Sequence, residues 1–253
     1  MPPACRPGTA AAATLVVAAT VWLALRGLAR VALPGGVTRD VAAPLVGPRV
    51  RAWYRGVLAP LEDALVGARV HPDALTWAQL AVSVLAGAAF WAGWCFVGGW
   101  LTVVAGTLDV LDGGVARRTG AAGPRGALVD SLVDRWAEFA TFLGLGAFFR
   151  DSWVLLPLAL ACFGSFMVSY TRARADGLGI DVQLGSVQRP ERYVILGCGA
   201  WASDLVAHLT CGLTGRPTQV VLAAAIVLLA ALSAWTALER ARHAAAALRG
   251  TLS

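Results

Sequence analysis

Four aspartates, Asp109, Asp112, Asp130 and Asp134, stand close together in sequence at the ends of apolar helical segments. They stand in two strings, Asp109-x-x-Asp112-Gly113-x-x-Ala116-Arg117 and Gly126-x-x-x-Asp130-x-x-x-Asp134. Steps of three and four residues set side chains on one face of a helix. Asp109, Asp112, Gly113 and Ala116 therefore share one face, and Gly126, Asp130 and Asp134 share another. A short turn containing Pro124 separates the strings. The two helices are thus expected to be antiparallel neighbours whose carboxylates converge.

Convergence of four carboxylates beside lipid is unfavourable. One aspartate at the centre of a spanning helix costs about 2.5–3.5 kcal/mol on insertion scales, and mutual repulsion adds to that. Protonation relieves one member, and Arg117 and Arg135 can neutralise two. Only metal uses all four together, and two Mg²⁺ or Mn²⁺ ions balance the charge. Hard cations prefer such oxygen ligands, and Mg²⁺ commonly completes its shell with substrate phosphates. Gly113, Gly114, Ala116 and Gly126 leave space beside the acids for a bulky group to approach the backbone. Small-residue helix packing, common in membranes, is the plainer reading of those glycines taken alone.

The elements that hold these acids follow from composition. The chain has 253 residues, of which 58% are hydrophobic and 14% charged, with a mean hydropathy of +0.67. Globular proteins carry about 25% charged residues, so these values exclude a water-soluble enzyme, a disordered chain, a disulfide scaffold and a coiled coil. The expected class is an all-α integral membrane protein. A span needs about 20 mostly apolar residues, and six such segments follow one another at 74–93, 95–116, 128–149, 152–171, 191–212 and 217–238. Residues 1–33 form an N-terminal hydrophobic segment, with the apolar run Thr9–Leu25 at its centre. Arg26 and Arg30 follow it where a small-residue cleavage site would stand, which favours an uncleaved extra transmembrane anchor over a signal peptide. Residues 34–72 are linker and interfacial helix, 73–245 the six-span domain, and 246–253 a C-terminal tail.

Within the linker, Trp53, Val57, Leu61 and Leu65 recur at four-residue steps while Arg51, Arg55 and Glu62 occupy other faces. That pattern predicts an amphipathic helix in the membrane interface, interrupted near Pro60. The formal charge of +6 comes from 21 arginines with no lysine. If the six spans alternate, Arg49, Arg51, Arg55, Arg69, Arg117, Arg118, Arg125, Arg172, Arg174, Arg189, Arg192, Arg240, Arg242 and Arg249 share one side, against Arg150 and Arg216 on the other. This asymmetry places the acidic end of the bundle at the cytoplasm. Anionic lipid accounts for the positive charge, so nucleic acid is not an expected partner. Cys5, Cys95, Cys162, Cys198 and Cys211 show no CxxC spacing, and four of them lie in apolar stretches where free cysteine acts as a small hydrophobe. His71, His208 and His243 are scattered, with no metal-ligand spacing.

The string from Asp109 to Asp134, DVLDGGVARRTGAAGPRGALVDSLVD, resembles throughout the signature of the CDP-alcohol phosphatidyltransferase family. That signature is D-x-x-D-G-x-x-A-R, eight residues, then G-x-x-x-D-x-x-x-D. The resemblance extends over about residues 50–245 and implies six transmembrane helices preceded by an interfacial helix, generally dimeric, with the active site open to the cytoplasm. Pro72-Asp73-Ala74-Leu75-Thr76 looks like the family's Pro-Asn-x-Leu-Thr entry to the first span, with Asp73 in place of Asn at a position where either can cap.

The resemblance implies attack by an alcohol on the pyrophosphate of a CDP-linked donor, releasing CMP. Asp109, Asp112, Asp130 and Asp134 correspond to the ligands of two divalent ions, and Asp134 to the general base. Gly113, Ala116, Arg117 and Gly126 match positions that bind the CDP moiety. Ser169-Tyr170-Thr171-Arg172-Ala173-Arg174-Ala175 and Gln188-Arg189-Pro190-Glu191-Arg192 resemble the bacterial phosphatidylinositol phosphate synthase branch. That branch joins CDP-diacylglycerol to inositol 1-phosphate and binds the acceptor phosphate with a lysine and two arginines. Arg172 falls at the lysine's position, Arg192 at one arginine, and Arg240 is the nearest candidate for the other. Glycerol 3-phosphate would serve the same arginines. A cation transporter with intramembrane carboxylates is the reading from another class, and the absence of a second, inverted acidic motif argues against it.

Overall fold

The computed structural model describes residues 47–182, 187–214 and 219–251, and the run at Thr9–Leu25 lies outside them. Within them the fold is all-helical, with seven helices: α1 (Pro48–Gly67), α2 (Pro72–Trp91), α3 (Cys95–Thr119), α4 (Pro124–Phe148), α5 (Leu155–Asp176), α6 (Arg189–Thr214) and α7 (Val220–Thr251). Helices stand at all six segments expected from hydropathy. Four of them, α2, α3, α5 and α7, are long and apolar enough to cross a membrane. α4 and α6 are as long but are interrupted by charge: Asp130, Asp134, Arg135 and Glu138 in one, Arg189, Glu191, Arg192 and Asp204 in the other.

Local chemistry sets the helix ends around the acids. Proline begins α1, α2 and α4, where its missing N–H has no intrahelical partner to lose. α3 ends at Gly120, whose φ of 70° is the left-handed C-cap conformation that glycine adopts without steric cost. Asp73 does not cap α2. His71 is the N-cap and accepts from the Asp73 N–H at 3.3 Å, while the Asp73 carboxylate turns outward to Arg125 at 3.1 Å. Nor does Pro60 interrupt α1, because the carbonyl it deprives of a donor belongs to exposed Gly56 and is open to solvent or headgroups.

The packing differs from the expected pairing of α3 with α4. α2 lies between them and packs closely on both, while α3 also packs on α6, and α7 joins α5 and α6. Glycines permit these approaches. A Cβ at Gly144 would collide with the backbone of Gly87, and one at Gly106 would come within 2.8 Å of the Tyr193 ring. Without water between helices to drive association, such close backbone contact is what holds spans together. Gly144→Val is therefore expected to separate α2 from α4, at about 1–3 kcal/mol or more. Lowered thermal stability in detergent and an aggregated peak on size exclusion would register it, whereas unchanged behaviour would contradict this packing.

The largest core cluster includes Phe90, Cys95, Phe142, Leu145, Val154 and Leu158. It extends along α6 and α7, with much of it toward the end of the bundle where α2 meets α3 and α4 meets α5. Trp91, Trp94 and Trp153 project outward at that end, as an aromatic interfacial belt does. Cys95 behaves as the buried hydrophobe expected, Cys162 is half-buried, and Cys198 instead faces outward. The acids lie at the opposite end, beside α1.

Candidate active site

α3 delivers Asp109 and Asp112 from its last turns, and α4 delivers Asp130 and Asp134 from its first. Carboxylate oxygens of Asp109, Asp130 and Asp134 lie within 4.8 Å of one another. Asp112 stands outside that triad. Its Oδ2 accepts from Thr76 Oγ1 at 2.8 Å, and with Asp130 it lines an adjoining cleft. The convergence expected of four carboxylates is thus three tightly grouped and a fourth at the border.

That cleft has a volume of about 180 Å³. Gly113, Ala116, Arg117 and Gly126 all line it, together with His71, Thr76 and the turn at Ala121–Gly123. Nothing lies within 4 Å of where a Cβ would sit at Gly126, so the α4 backbone is open to an incoming group. The opening exists because α3 and α4 flank α2 instead of closing on each other.

Among the described residues, two guanidinium groups meet the acids. Arg189, the first residue of α6, contacts Asp109 Oδ1 at 3.1 Å and also pairs with Asp134 Oδ2. Arg135 lies 3.7 Å from Asp134 Oδ2. Arg117, expected to neutralise an acid, is exposed at the cleft wall and forms no ion pair among the described residues. Two cations against four carboxylates leave the site electronegative. Asp130 Oδ1 is buried and accepts no hydrogen bond among the described residues. An undonated oxygen beside two further carboxylates fits a hard dication.

Gln79 fixes the deepest acid. Its Nε2 donates to Asp134 Oδ1 at 2.9 Å and lies 3.3 Å from the Tyr193 hydroxyl, and both Gln79 and Asp134 are almost fully buried. Sequence reading passed over Gln79, Tyr193, Glu138 and the role of Arg189. A signal existed for two of them. Thr76, Gln79 and Ser83 form a polar stripe on apolar α2, and Glu138 continues the four-residue step from Asp130 and Asp134.

Beyond the triad, the arginines expected for an acceptor phosphate gather around one face of α5. Arg192 pairs with Glu138 Oε1 at 2.9 Å and donates to the Ser165 carbonyl at 3.3 Å. Arg240 donates to the Val168 carbonyl at 2.9 Å. Ser165, Val168 and Arg172 are three and four residues apart, so they share that face. Arg172 is the outermost, 56% exposed and 3.8 Å from Asp176, whereas Arg192 and Arg240 are buried.

The CDP-alcohol phosphatidyltransferase profile matches residues 69–248. The chain belongs to that family. It is therefore a membrane transferase of phospholipid biosynthesis, and the acid-lined cleft lies in its matched region. A phosphatidylinositol phosphate synthase of Cutibacterium acnes is 32% identical over 151 residues, 57% of this chain and 72% of the relative. An archaetidylinositol phosphate synthase of Methanothermobacter thermautotrophicus is 33% identical over 190 residues, 75% of this chain and 89% of the relative. Among solved structures, a Mycobacterium tuberculosis phosphatidylinositol phosphate synthase with CDP-DAG bound superposes with a TM-score of 0.61 at 27% identity, covering 73% of this chain and 92% of that one. The same enzyme in complex with manganese and citrate gives 0.63 at 28% identity, covering 73% and 87%.

Proposed function

We propose that this transferase moves the phosphatidyl group of CDP-diacylglycerol to a hydroxyl of a phosphorylated polyol, inositol 1-phosphate being favoured, and releases CMP. The observation that carries this reading is one alignment of groups. An open glycine-lined cleft adjoins three converging carboxylates, and buried arginines follow them along α4 and α5. A nucleotide, a reacting diphosphate and a second phosphate require that order. The relatives named for inositol phosphate products support the choice of acceptor.

Asp109, Asp112, Asp130 and Asp134 are the residues that would hold two divalent ions, Mg²⁺ or Mn²⁺. Those ions would neutralise the pyrophosphate and the departing CMP. Gly113, Ala116 and Gly126 admit the cytidine nucleotide against the backbone, with Arg117 at the wall. The acceptor oxygen attacks the phosphorus bearing diacylglycerol, the bond from that phosphorus to the CMP oxygen breaks, and the hydroxyl proton passes to Asp134. Gln79 holds Asp134 Oδ1, which fixes the carboxylate for that transfer. Arg172, Arg192 and Arg240 bind the acceptor phosphate, where guanidinium matches the anion's geometry.

The same reading has six spans over 73–245, 34–72 as a linker and a helix lying in the interface, residues 1–33 as an added anchor, and the tail 246–253 outside. The arginine-rich side and the site face the cytoplasm, and the working unit is a homodimer. Acceptor choice is tested with purified protein in detergent, Mg²⁺ and CDP-diacylglycerol. CMP should appear with inositol 1-phosphate and not with inositol or serine. Release with glycerol 3-phosphate alone would overturn the acceptor and leave the family chemistry intact.

A further inference from the structure

α1 is fastened to two parts of the site at once. Toward its C-terminal end, Glu62 lies over Gly114, where a side chain on residue 114 would displace it. Arg118 holds Glu62 Oε2 at 3.0 Å and also pairs with Asp63. In its middle, the Tyr54 hydroxyl meets Thr107 Oγ1 at 2.6 Å. These contacts bind α1 to α3, the helix of Asp109 and Asp112. Near its N-terminal end, Arg51 reaches across to the start of α6: Nη2 meets Glu191 Oε1 at 2.5 Å and Nη1 donates to Gln188 Oε1 at 3.1 Å.

Glu191 is 1% exposed. Its other oxygen accepts the Gln188 N–H at 3.0 Å, the reciprocal half of a capping box. A buried carboxylate persists as an ion only when paired and hydrogen-bonded, so Arg51 is what allows Glu191 to close the first turn of α6. That turn carries Arg189, which contacts the acids, and Arg192, which contacts Glu138. They are three residues apart on one face.

We propose that Arg51 is a positioning residue for phosphatidyl transfer: through Glu191 it fixes the first turn of α6 and so sets Arg189 and Arg192 against the acids of α3 and α4. The inference rests on the acceptor site proposed above. Arg51 acts through Glu191 and Gln188, so its effect should fall on the acceptor, which Arg192 of that turn is proposed to bind. Arg51→Met should raise the acceptor KM about tenfold and leave the donor KM within about twofold, and Arg51→Lys should recover most of the loss. Backbone amides 189–193 should exchange with deuterium several-fold faster in Arg51→Met. If both residues act through one strut, Arg51→Met/Glu191→Ala should be no worse than Glu191→Ala alone. Should Glu191→Ala fail to fold, Glu191→Gln replaces it in the cycle.

Unchanged acceptor KM and unchanged exchange would overturn the inference. So would an equal loss for both substrates accompanied by a lowered Tm, which marks a merely structural contact. A wild type that transfers to inositol 1-phosphate while Arg51→Met is silent removes this inference alone. A wild type that accepts no phosphorylated polyol removes the acceptor reading and the inference with it.

Discussion

Asp134→Asn is expected to lower kcat by at least a hundredfold while, at saturating Mg²⁺, CDP-diacylglycerol still binds within a few-fold of the wild-type affinity. Positioned general bases contribute about 10²–10⁴ in rate, and the amide that replaces this carboxylate accepts no proton at working pH. The side chain is nearly isosteric, so the buried site keeps its shape. Gln79 Nε2 can still donate to the remaining oxygen, as it does at 2.9 Å in the wild type. The cleft formed by Gly113, Ala116, Arg117 and Gly126 is untouched, which is why donor binding survives. CMP release together with equilibrium binding of a CDP-diacylglycerol analogue separates the two effects. Turnover within tenfold of wild type would remove Asp134 as the base.

Arg192→Ala should raise the acceptor KM by about 10–100-fold, with the donor KM changed far less. Hydrogen bonds to charged groups contribute about 1.5–3 kcal/mol, and each 1.4 kcal/mol is about tenfold. Arg192 is buried, and its removal also leaves Glu138 without its 2.9 Å partner, so a negative charge replaces a neutralised pair where an acceptor phosphate would sit. Arg172→Ala should be milder, since that guanidinium is 56% exposed and screened. Steady-state kinetics with each substrate varied in turn measures both. An equal loss for donor and acceptor would exclude the arginine pocket and leave the family assignment standing.

The acid motif was readable because helical spacing fixes which side chains share a face, and two faces joined by a short turn must lie close. Apolar runs marked the helices for the same local reason. What could not be read is what depends on a third element. α2 enters between α3 and α4, and the cleft is the space this leaves. Asp112 is drawn to Thr76 of α2 and Asp134 to Gln79, so the quartet divides into three and one. Arg189 was visible in its string, but only the packing of α6 on α3 brings it to Asp109 and Asp134. Arg117 and Arg135 seemed equivalent neighbours in sequence, yet only Arg135 faces an acid.

α1 shows the same division. Its apolar stripe was legible, and Val57 and Leu61 do face outward. Glu62 stands off that stripe in sequence and is nonetheless buried, over Gly114. A periodicity of charge states that a face is polar, not what it meets. Glycine at position 114, inside the motif itself, was the only hint that something must approach α3 there.

The most direct test is titration of the purified protein with Mn²⁺, read by electron paramagnetic resonance with and without CDP. Saturable binding is expected, at two ions per chain when CDP is present, and Asp109→Asn, Asp130→Asn and Asp134→Asn should each weaken it by at least tenfold. Binding that these three variants leave unchanged, or no saturable binding with nucleotide present, would contradict the account.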